Sequence, residues 1–219
     1  MTATILPASK EVIRLAATRL ADGALVVLPT DTVYGLAANA LLPAAITAVY
    51  RIKERSSEKP VSLLLADPED VHRATAEVPP AGWRLAERFW PGGLTIVFEK
   101  SPAVPDLLTA GRSGVGLRVP DHPTARAIIR ALGAPVTGTS ANLSGRPSAR
   151  TAAEAYAQLG DLVELIVDAG ACPGGIESTV IDVTVVPPRV LREGAVTIQQ
   201  LRRICPEVAS SVDNAGLGC

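Results

Sequence analysis

Runs of consecutive aliphatic residues alternate along this chain with segments whose apolar residues recur at helical spacing. Residues 24–28 and 61–65 are apolar at nearly every position, which is typical of strands buried on both faces of a sheet. Residues 10–21 instead carry apolar side chains three or four positions apart, after Ser9 as a candidate N-cap. This alternation predicts an α/β domain in which helices cover a largely buried sheet.

The alternation continues through most of the chain. Further helices are predicted at residues 43–55, 80–89, 123–132, 151–159 and 197–203, and further strands at residues 94–99, 116–119, 135–137, 162–168, 179–183 and 189–191. Thr151 followed by Glu154 has the pattern of a capping box. Because no internal repeat or long linker divides the chain, we expect one domain over residues 1–205 and a flexible tail over residues 206–219.

The charge balance argues against a general polyanion-binding surface. The net charge is −1 and the isoelectric point is about 6.1, so any contact with RNA would have to come from a local patch. The apolar runs are far shorter than the roughly 20 residues that cross a bilayer. Residues 1–10 also lack the basic and apolar regions of a secretory signal. We therefore expect no membrane association.

The cysteines are too few and too scattered to build a site. Cys172, Cys205 and Cys219 are widely spaced and odd in number, so they predict neither a disulfide framework nor a metal site, and a reducing cytoplasm is the expected compartment. The sequence contains no Gly-x-x-x-x-Gly-Lys-Ser/Thr loop. Residues 138–142 depart from a nucleophile elbow at their last position, so a covalent serine hydrolase has little support.

Polar segments follow several predicted elements, at the positions where ligands of open α/β sheets collect. Residues 29–35 place Asp31 and Tyr34 after a buried strand; the alternative is a simple turn in which Asp31 bonds to its own backbone. Residues 51–60 contain four basic side chains, which form either an anion site or a solvated helix C-terminus. Residues 137–148 are dense in hydroxyl and amide groups, which suit a phosphate chain.

Arg118 is the most constrained of the candidate ligands, because it ends a short apolar strand. A buried guanidinium needs an anionic partner, and its planar fork suits an α-carboxylate. The alternative is an ion pair within the chain, with Asp31 or Asp121. The sequence therefore predicts a partner for Arg118 without deciding whether it is a ligand.

The set and order of these segments closely resemble those of the YrdC-type threonylcarbamoyl-AMP synthase family. The matching segments are Pro-Thr-Asp-Thr-Val-Tyr-Gly-Leu at 29–36, Lys-x-Arg at 53–55, Lys-Pro at 59–60, Pro-Gly-Gly-Leu-Thr at 91–95, Arg-Val-Pro at 118–120, Thr-Ser-Ala-Asn-Leu-Ser-Gly at 139–145, Gly-Ile-Glu-Ser-Thr-Val-Ile-Asp at 175–182 and Leu-Arg-Glu-Gly at 191–194. No single segment is specific, but so many in the same order are not expected by chance. They span nearly the whole chain.

The resemblance implies an α/β fold with a strongly twisted mixed β-sheet, flanked by helices, around a concave substrate cavity. It implies a single-domain enzyme that converts L-threonine, bicarbonate and ATP into threonylcarbamoyl-AMP and pyrophosphate. A separate transferase would use the product to form threonylcarbamoyladenosine in tRNA. We expect Mg²⁺ to enter with ATP and no organic cofactor to be bound. A protein nucleophile is not required, because a carbamate of threonine attacks the α-phosphorus.

The resemblance also implies roles for individual residues. The residues matched to catalytic positions are Lys53, Arg55, Ser140 and Asn142. Those matched to ATP-binding positions are Arg55, Lys59, Ser140, Ser148 and Arg192, and those matched to threonine-binding positions are Thr32, Arg118 and Ser178, with Arg118 on the carboxylate. Leu64 stands where some members have a histidine, which leaves one threonine contact open.

Two other functions stay open at this stage. A non-catalytic module that binds double-stranded RNA or tRNA is the first, although the net charge of −1 argues against it. A carbamoyltransferase-related domain is the second, although such domains usually belong to much longer chains. A contact with tRNA or double-stranded RNA therefore remains among the expected partners, beside the three substrates.

Overall fold

The structure is a computed structural model that describes residues 3–210. The helices are α1 (Lys10–Ala21), α2 (Pro43–Ile52), α3 (Pro80–Phe89), α4 (Asp106–Thr109), α5 (Pro123–Leu132), α6 (Ala152–Leu159) and α7 (Ile198–Ile204), with a 3₁₀ helix at Pro68–Arg73. The strands are β1 (Thr4–Pro7), β2 (Val26–Leu28), β3 (Gly35–Ala37), β4 (Ser62–Leu64), β5 (Leu94–Glu99), β6 (Gly114–Arg118), β7 (Val136–Ser140), β8 (Leu165–Asp168), β9 (Thr179–Asp182), β10 (Arg189–Arg192) and β11 (Ala209–Ser210).

These strands form one mixed sheet in the order β1-β8-β2-β3-β7-β4-β6-β5-β9-β10-β11. The two halves meet at β7, which pairs antiparallel with β3 on one side and with β4 on the other. Parallel pairs such as β4 with β6 and β5 with β9 lie beside antiparallel ones such as β5 with β6. The predicted α/β fold, a mixed sheet flanked by helices, is confirmed.

Three groups of buried, mostly aliphatic side chains hold the helices against the sheet, as the 3% content of aromatic residues leads one to expect. The helix side chains that enter these groups include Leu20 and Ile128 from α1 and α5, Val49 and Ala155 from α2 and α6, and Leu85 and Leu201 from α3 and α7. Burying one such leucine or isoleucine contributes about 1.5–3 kcal/mol to folding.

The helix caps were predictable in part. The hydroxyl of Ser9 accepts a hydrogen bond from the N–H of Val12, as predicted. Thr151 likewise caps α6 by accepting from the N–H of Glu154. The capping-box prediction is wrong in its second half, because the carboxylate of Glu154 accepts from the N–H of Arg150 instead of Thr151.

Two elements beside the cavity, helix α2 and strand β3, differ from the prediction. Helix α2 ends at Ile52 and not at residue 55, since Lys53 is its C-cap and Glu54 turns the chain with a φ of 48°. Strand β3 begins at Gly35, the last residue of the polar segment 29–35, where no strand was predicted, and it pairs with both β2 and β7. A buried three-residue strand carries no periodic signal, which is why the sequence did not mark it.

The sheet continues past residue 205, where the sequence analysis ends the domain. Strand β11 pairs parallel with β10, and the N–H of Ala209 donates to the carbonyl of Pro188 at 2.9 Å. Residues 209–210 of the tail predicted to be flexible thus belong to the sheet, and residues 206–208 form the turn that leads to them, whereas residues 211–219 lie outside the described residues. Among the helices that the structure describes, none combines the length and apolar character needed to cross a membrane.

Candidate active site

A cavity of about 720 Å³ lies along the middle strands of the sheet, within the roughly 300–1,000 Å³ typical of ligand pockets. The predicted site residues that line it are Thr32, Lys53, Arg55, Lys59, Arg118, Ser140, Asn142, Ser178 and Arg192. Ser148 is the exception, and it contacts the lining residue Glu177 through its hydroxyl at 2.7 Å. Leu64 also lines the cavity. Tertiary structure therefore brings together segments that lie far apart in the sequence.

The cavity is positively charged although the chain as a whole is not. Its basic lining residues are Lys53, Arg55, Lys59, Arg112, Arg118, Arg146 and Arg192, and its acidic ones are Glu54, Glu177 and Asp182. Among residues 3–210, no group of three or more histidine, cysteine, aspartate or glutamate side chains is placed to hold a metal ion. The excess of basic over acidic side chains suits the cavity walls to anions.

Lys53 is buried, and its ammonium group holds the last residue of β7 and the residues that follow it. Its Nζ donates to the carbonyl oxygens of Ser140 and Asn142 at 2.5 and 2.9 Å, and to Oδ1 of Asn142 at 3.1 Å. The Asn142 amide in turn donates to the carbonyl of Arg146 at 2.5 Å. Burial, helped by the charge of Arg55, lowers the pKa of Lys53 to about 8. An ammonium group has three donors, and all three are used here.

Arg55 and Lys59 lie at the rim of the cavity, on the turn after α2. The Arg55 guanidinium donates to the carbonyl oxygens of Lys59 and Pro60, at 3.1 and 2.9 Å. The Lys59 side chain is exposed. The early end of α2 therefore directs Lys53 into the wall and leaves Arg55 and Lys59 at the mouth.

Arg118 forms a buried ion pair with Asp31. Its Nη2 lies 2.5 Å from Oδ1 of Asp31, and its Nε donates to the carbonyl of Gly92 at 2.9 Å. Asp121 does not pair with Arg118; its backbone N–H donates to Asp31 Oδ1 at 3.0 Å. Of the two partners left open by the sequence, the structure selects Asp31, and Arg118 still lines the cavity.

The hydroxyl groups beside Arg118 are ordered by short contacts. Thr30 Oγ1 donates to the carbonyl of Val33 at 2.6 Å and lies 3.0 Å from Thr32 Oγ1. Since a hydroxyl has one proton, Thr32 is the donor in that second contact. The hydroxyls of Thr95 in β5 and of Ser178, just before β9, lie 2.9 Å apart, and both residues are buried.

Glu177 connects two of the predicted ATP-binding residues, Ser148 and Arg192, and no role was predicted for it. Its Oε1 accepts from the hydroxyl of Ser148 at 2.7 Å, and its Oε2 pairs with Nη1 of Arg192. Burial opposes its ionisation, but the Ser148 hydrogen bond and the charge of Arg192 hold its pKa below the ordinary value. Glu177 lies within the family-like segment 175–182, but its negative charge does not suggest a place beside phosphate groups.

The loop that carries Glu177 packs against the strand end that carries Asp31. The N–H groups of Gly174 and Gly175 donate to the carbonyls of Asp31 and Thr32 at 3.0 and 2.7 Å. A Cβ atom on Gly174 would lie 2.7 Å from the Asp31 carbonyl oxygen, so only glycine permits this approach. The segments that carry Asp31 and Glu177 are thereby fixed relative to each other.

The sequence profile of the Sua5/YciO/YrdC family, described as telomere recombination, matches residues 18–194. The chain belongs to this family. This Sua5/YciO/YrdC member is 38% identical over 196 residues to the threonylcarbamoyl-AMP synthase of Pyrococcus abyssi, covering 90% of this chain and 58% of the relative. It is 39% identical over 190 residues to the threonylcarbamoyl-AMP synthase of Bacillus subtilis, covering 86% of this chain and 55% of the relative.

The same Sua5/YciO/YrdC fold is found in a crystal structure of Pyrococcus abyssi Sua5 complexed with L-threonine. The match has a TM-score of 0.94 and 35% sequence identity, and it covers 99% of this chain and 65% of that one. This Sua5/YciO/YrdC member therefore spans little more than half the length of the two curated relatives and about two thirds of the solved one.

Proposed function

We propose that this chain is an L-threonylcarbamoyladenylate synthase, which forms threonylcarbamoyl-AMP and pyrophosphate from L-threonine, bicarbonate and ATP. The observation that carries the proposal is that one cavity is lined by two anchored guanidinium groups, Arg118 beside Asp31 and Arg192 beside Glu177. Each guanidinium offers a binding position for an anion. The likeness to a Sua5 complexed with L-threonine supports the assignment of an amino acid to one of them.

Threonine is assigned to the part of the cavity around Arg118. Asp31 and the Gly92 carbonyl hold the guanidinium in one orientation, which suits it to receive the α-carboxylate. Thr32 and Ser178 present buried hydroxyls nearby for the polar groups of threonine. Leu64 supplies an apolar wall where some relatives have a histidine.

ATP is assigned to the part around Arg55, Lys59, Ser140, Ser148 and Arg192. In the reaction, the threonine amine attacks the carbon of bicarbonate and water is lost, which gives a carbamate. A carbamate oxygen then attacks the α-phosphorus, and the bond to the β-phosphate breaks as pyrophosphate leaves. The arginines and hydroxyls contribute by aligning the two anions and stabilising the phosphate charge. Mg²⁺ enters with the nucleotide.

Lys53 and Asn142 are proposed as positioning residues for this reaction. All three donors of Lys53 bond to Ser140 and Asn142, so the ammonium acts by fixing the position of Ser140. Asn142 bonds to Lys53 and Arg146 on either side. Their matches to catalytic positions are thereby explained without direct contact to substrate.

The product would pass to a separate transferase that completes threonylcarbamoyladenosine in tRNA, in the cytoplasm. The two described cysteines, Cys172 and Cys205, are free thiols, as suits a reducing compartment. A direct contact with tRNA would use the exposed basic residues at the cavity rim, such as Arg146.

Pyrophosphate release tests the proposal. We expect release only when threonine, bicarbonate and ATP are all present. Serine should react about 10–200-fold less efficiently, because it lacks the methyl group. Release with carbamoyl phosphate and no threonine would favour a carbamoyltransferase. Binding of tRNA with a steep salt dependence and without pyrophosphate release would favour an RNA-binding module.

A further inference from the structure

The carboxylate of Glu177 occupies two strong hydrogen-bond donors, Arg192 in the cavity wall and Ser148 next to the lining residues. Ser148 donates its hydroxyl proton to Oε1, and Arg192 pairs through Nη1 with Oε2. The remaining nitrogens of Arg192, Nε and Nη2, donate to the Ser178 carbonyl at 3.2 and 2.8 Å. Arg192 is therefore anchored by the backbone on one side and directs the other side at Glu177.

The number of protons on these groups limits what they can bind at one time. A serine hydroxyl has a single proton, and that of Ser148 is used by Glu177. Ser148 cannot donate to a phosphate oxygen while this hydrogen bond lasts. A phosphate group placed near Arg192 would also face the negative charge of Glu177, since like charges at short range repel each other.

We propose that Glu177 is an internal competitor for the phosphate groups of the nucleotide. In the free chain its carboxylate takes the place of a phosphate oxygen at Ser148 and Arg192, and it gives up at least the Ser148 hydroxyl when the nucleotide binds. This inference rests on the proposed function. The Glu177–Arg192 pair is suited to such an exchange because both side chains are partly exposed, and exposed ion pairs are weak.

A competitor of this kind acts at both ends of the reaction. It weakens binding of every ligand that needs these donors, and it returns to Ser148 and Arg192 when the phosphate groups leave. Glu177 therefore favours the release of pyrophosphate. A residue that only held Arg192 in place would do the opposite, because its removal would weaken the binding of ATP.

Calorimetric titration of the whole chain with ATP, pyrophosphate and adenosine tests the proposal. Glu177→Gln keeps the size of the side chain and removes its charge. We expect it to bind ATP and pyrophosphate about five- to tenfold more tightly than the wild type. Adenosine has no phosphate, so its affinity should not change. Thermal unfolding of the variant shows whether the fold is intact, and Glu177→Ala is a second variant expected to shift ATP binding in the same direction.

The matched control is Glu54→Gln, which removes the same charge from the same cavity. Glu54 is exposed and lies on the turn after α2, so solvent screens its charge and its effect should be smaller. Weaker ATP binding by Glu177→Gln, or an equal gain in both variants, would overturn the proposal. If the wild-type chain binds no ATP, the proposed function itself is wrong, which is a different result from normal ATP binding that Glu177→Gln leaves unchanged.

Discussion

The cavity contains two arginine–carboxylate pairs of the same chemistry in different surroundings. The side chains of Arg118 and Asp31 are 7% and 16% exposed, whereas those of Arg192 and Glu177 are 48% and 37% exposed. Burial removes the screening by water, so breaking the first pair leaves an uncompensated charge, whereas the second can exchange with solvent or ligand. The first pair is thus a fixed part of the fold, and the second suits a site that must open.

Stability measurements should separate the two pairs most strongly. Asp31→Ala leaves the buried Arg118 guanidinium without its carboxylate, so we expect the free energy of unfolding to fall by about 3–5 kcal/mol. The matched variant Glu177→Ala should cost at most about 1 kcal/mol. Urea unfolding of both variants provides the measurement. Equal losses would mean that burial does not distinguish the pairs.

Threonine and ATP binding should respond differently to the loss of Arg118 and to the loss of Arg55. Arg118→Ala should weaken threonine binding while ATP binding stays near the wild-type value, and Arg55→Ala should weaken ATP binding more than threonine binding. The loss at the buried Arg118 is expected to be on the order of 2–5 kcal/mol, because a desolvated anion loses its partner. The loss at Arg55 should be smaller, because Arg55 lies at the rim of the cavity, where water screens its charge. Calorimetry with each ligand decides this, after circular dichroism has shown that the fold is intact. Normal threonine binding by Arg118→Ala would leave Arg118 with a purely structural role.

The affinity for ATP should depend on pH through the ionisation of Lys53. Because its pKa is about 8 in the folded chain, the ammonium becomes a neutral amine with two donors as the pH rises through that value. One of its three hydrogen bonds to the chain after β7 is then lost. We expect ATP binding to weaken up to roughly tenfold between pH 7 and pH 9.5. The NMR signal of the Lys53 side chain, identified by its absence in Lys53→Met, should titrate near pH 8, and a midpoint above 10 would contradict the assignment.

The same pKa shift has a defined effect on stability. The pKa of Lys53 falls from 10.5 to about 8 on folding, so between these values the unfolded chain binds more protons than the folded one. The contribution of Lys53 to the free energy of unfolding therefore increases as the pH rises through this interval.

The smallest effect is expected at Cys172. Its thiol is buried, and burial raises its pKa, so it is not a reactive thiolate at neutral pH. Cys172→Ala should leave the rate of pyrophosphate release within a few-fold of the wild type. A loss of activity well beyond a few-fold would show that the cysteine belongs to the site.

Short-range patterns accounted for most of the elements and for the polar segments at their ends, but not for β1, α4, β11 or the 3₁₀ helix. The aliphatic runs at residues 24–28 and 61–65 contain β2 and β4, and helical spacing placed α1 correctly. Strand β3 was missed because its three residues are defined by pairing, such as Leu36 with Thr139. Local sequence cannot report a partner that lies about a hundred residues away.

The same limit applies to the site. The amino-acid sequence by itself determined that Arg118 needs an anionic partner, because a guanidinium in an apolar strand cannot stay unpaired. Only the tertiary structure decided that the partner is Asp31. It also decided that Lys53 donates its three hydrogen bonds to Ser140 and Asn142. It also placed Glu177 on Ser148 and Arg192. Residue chemistry follows from the sequence, whereas the identity of a partner depends on which distant segments the sheet brings within hydrogen-bond distance.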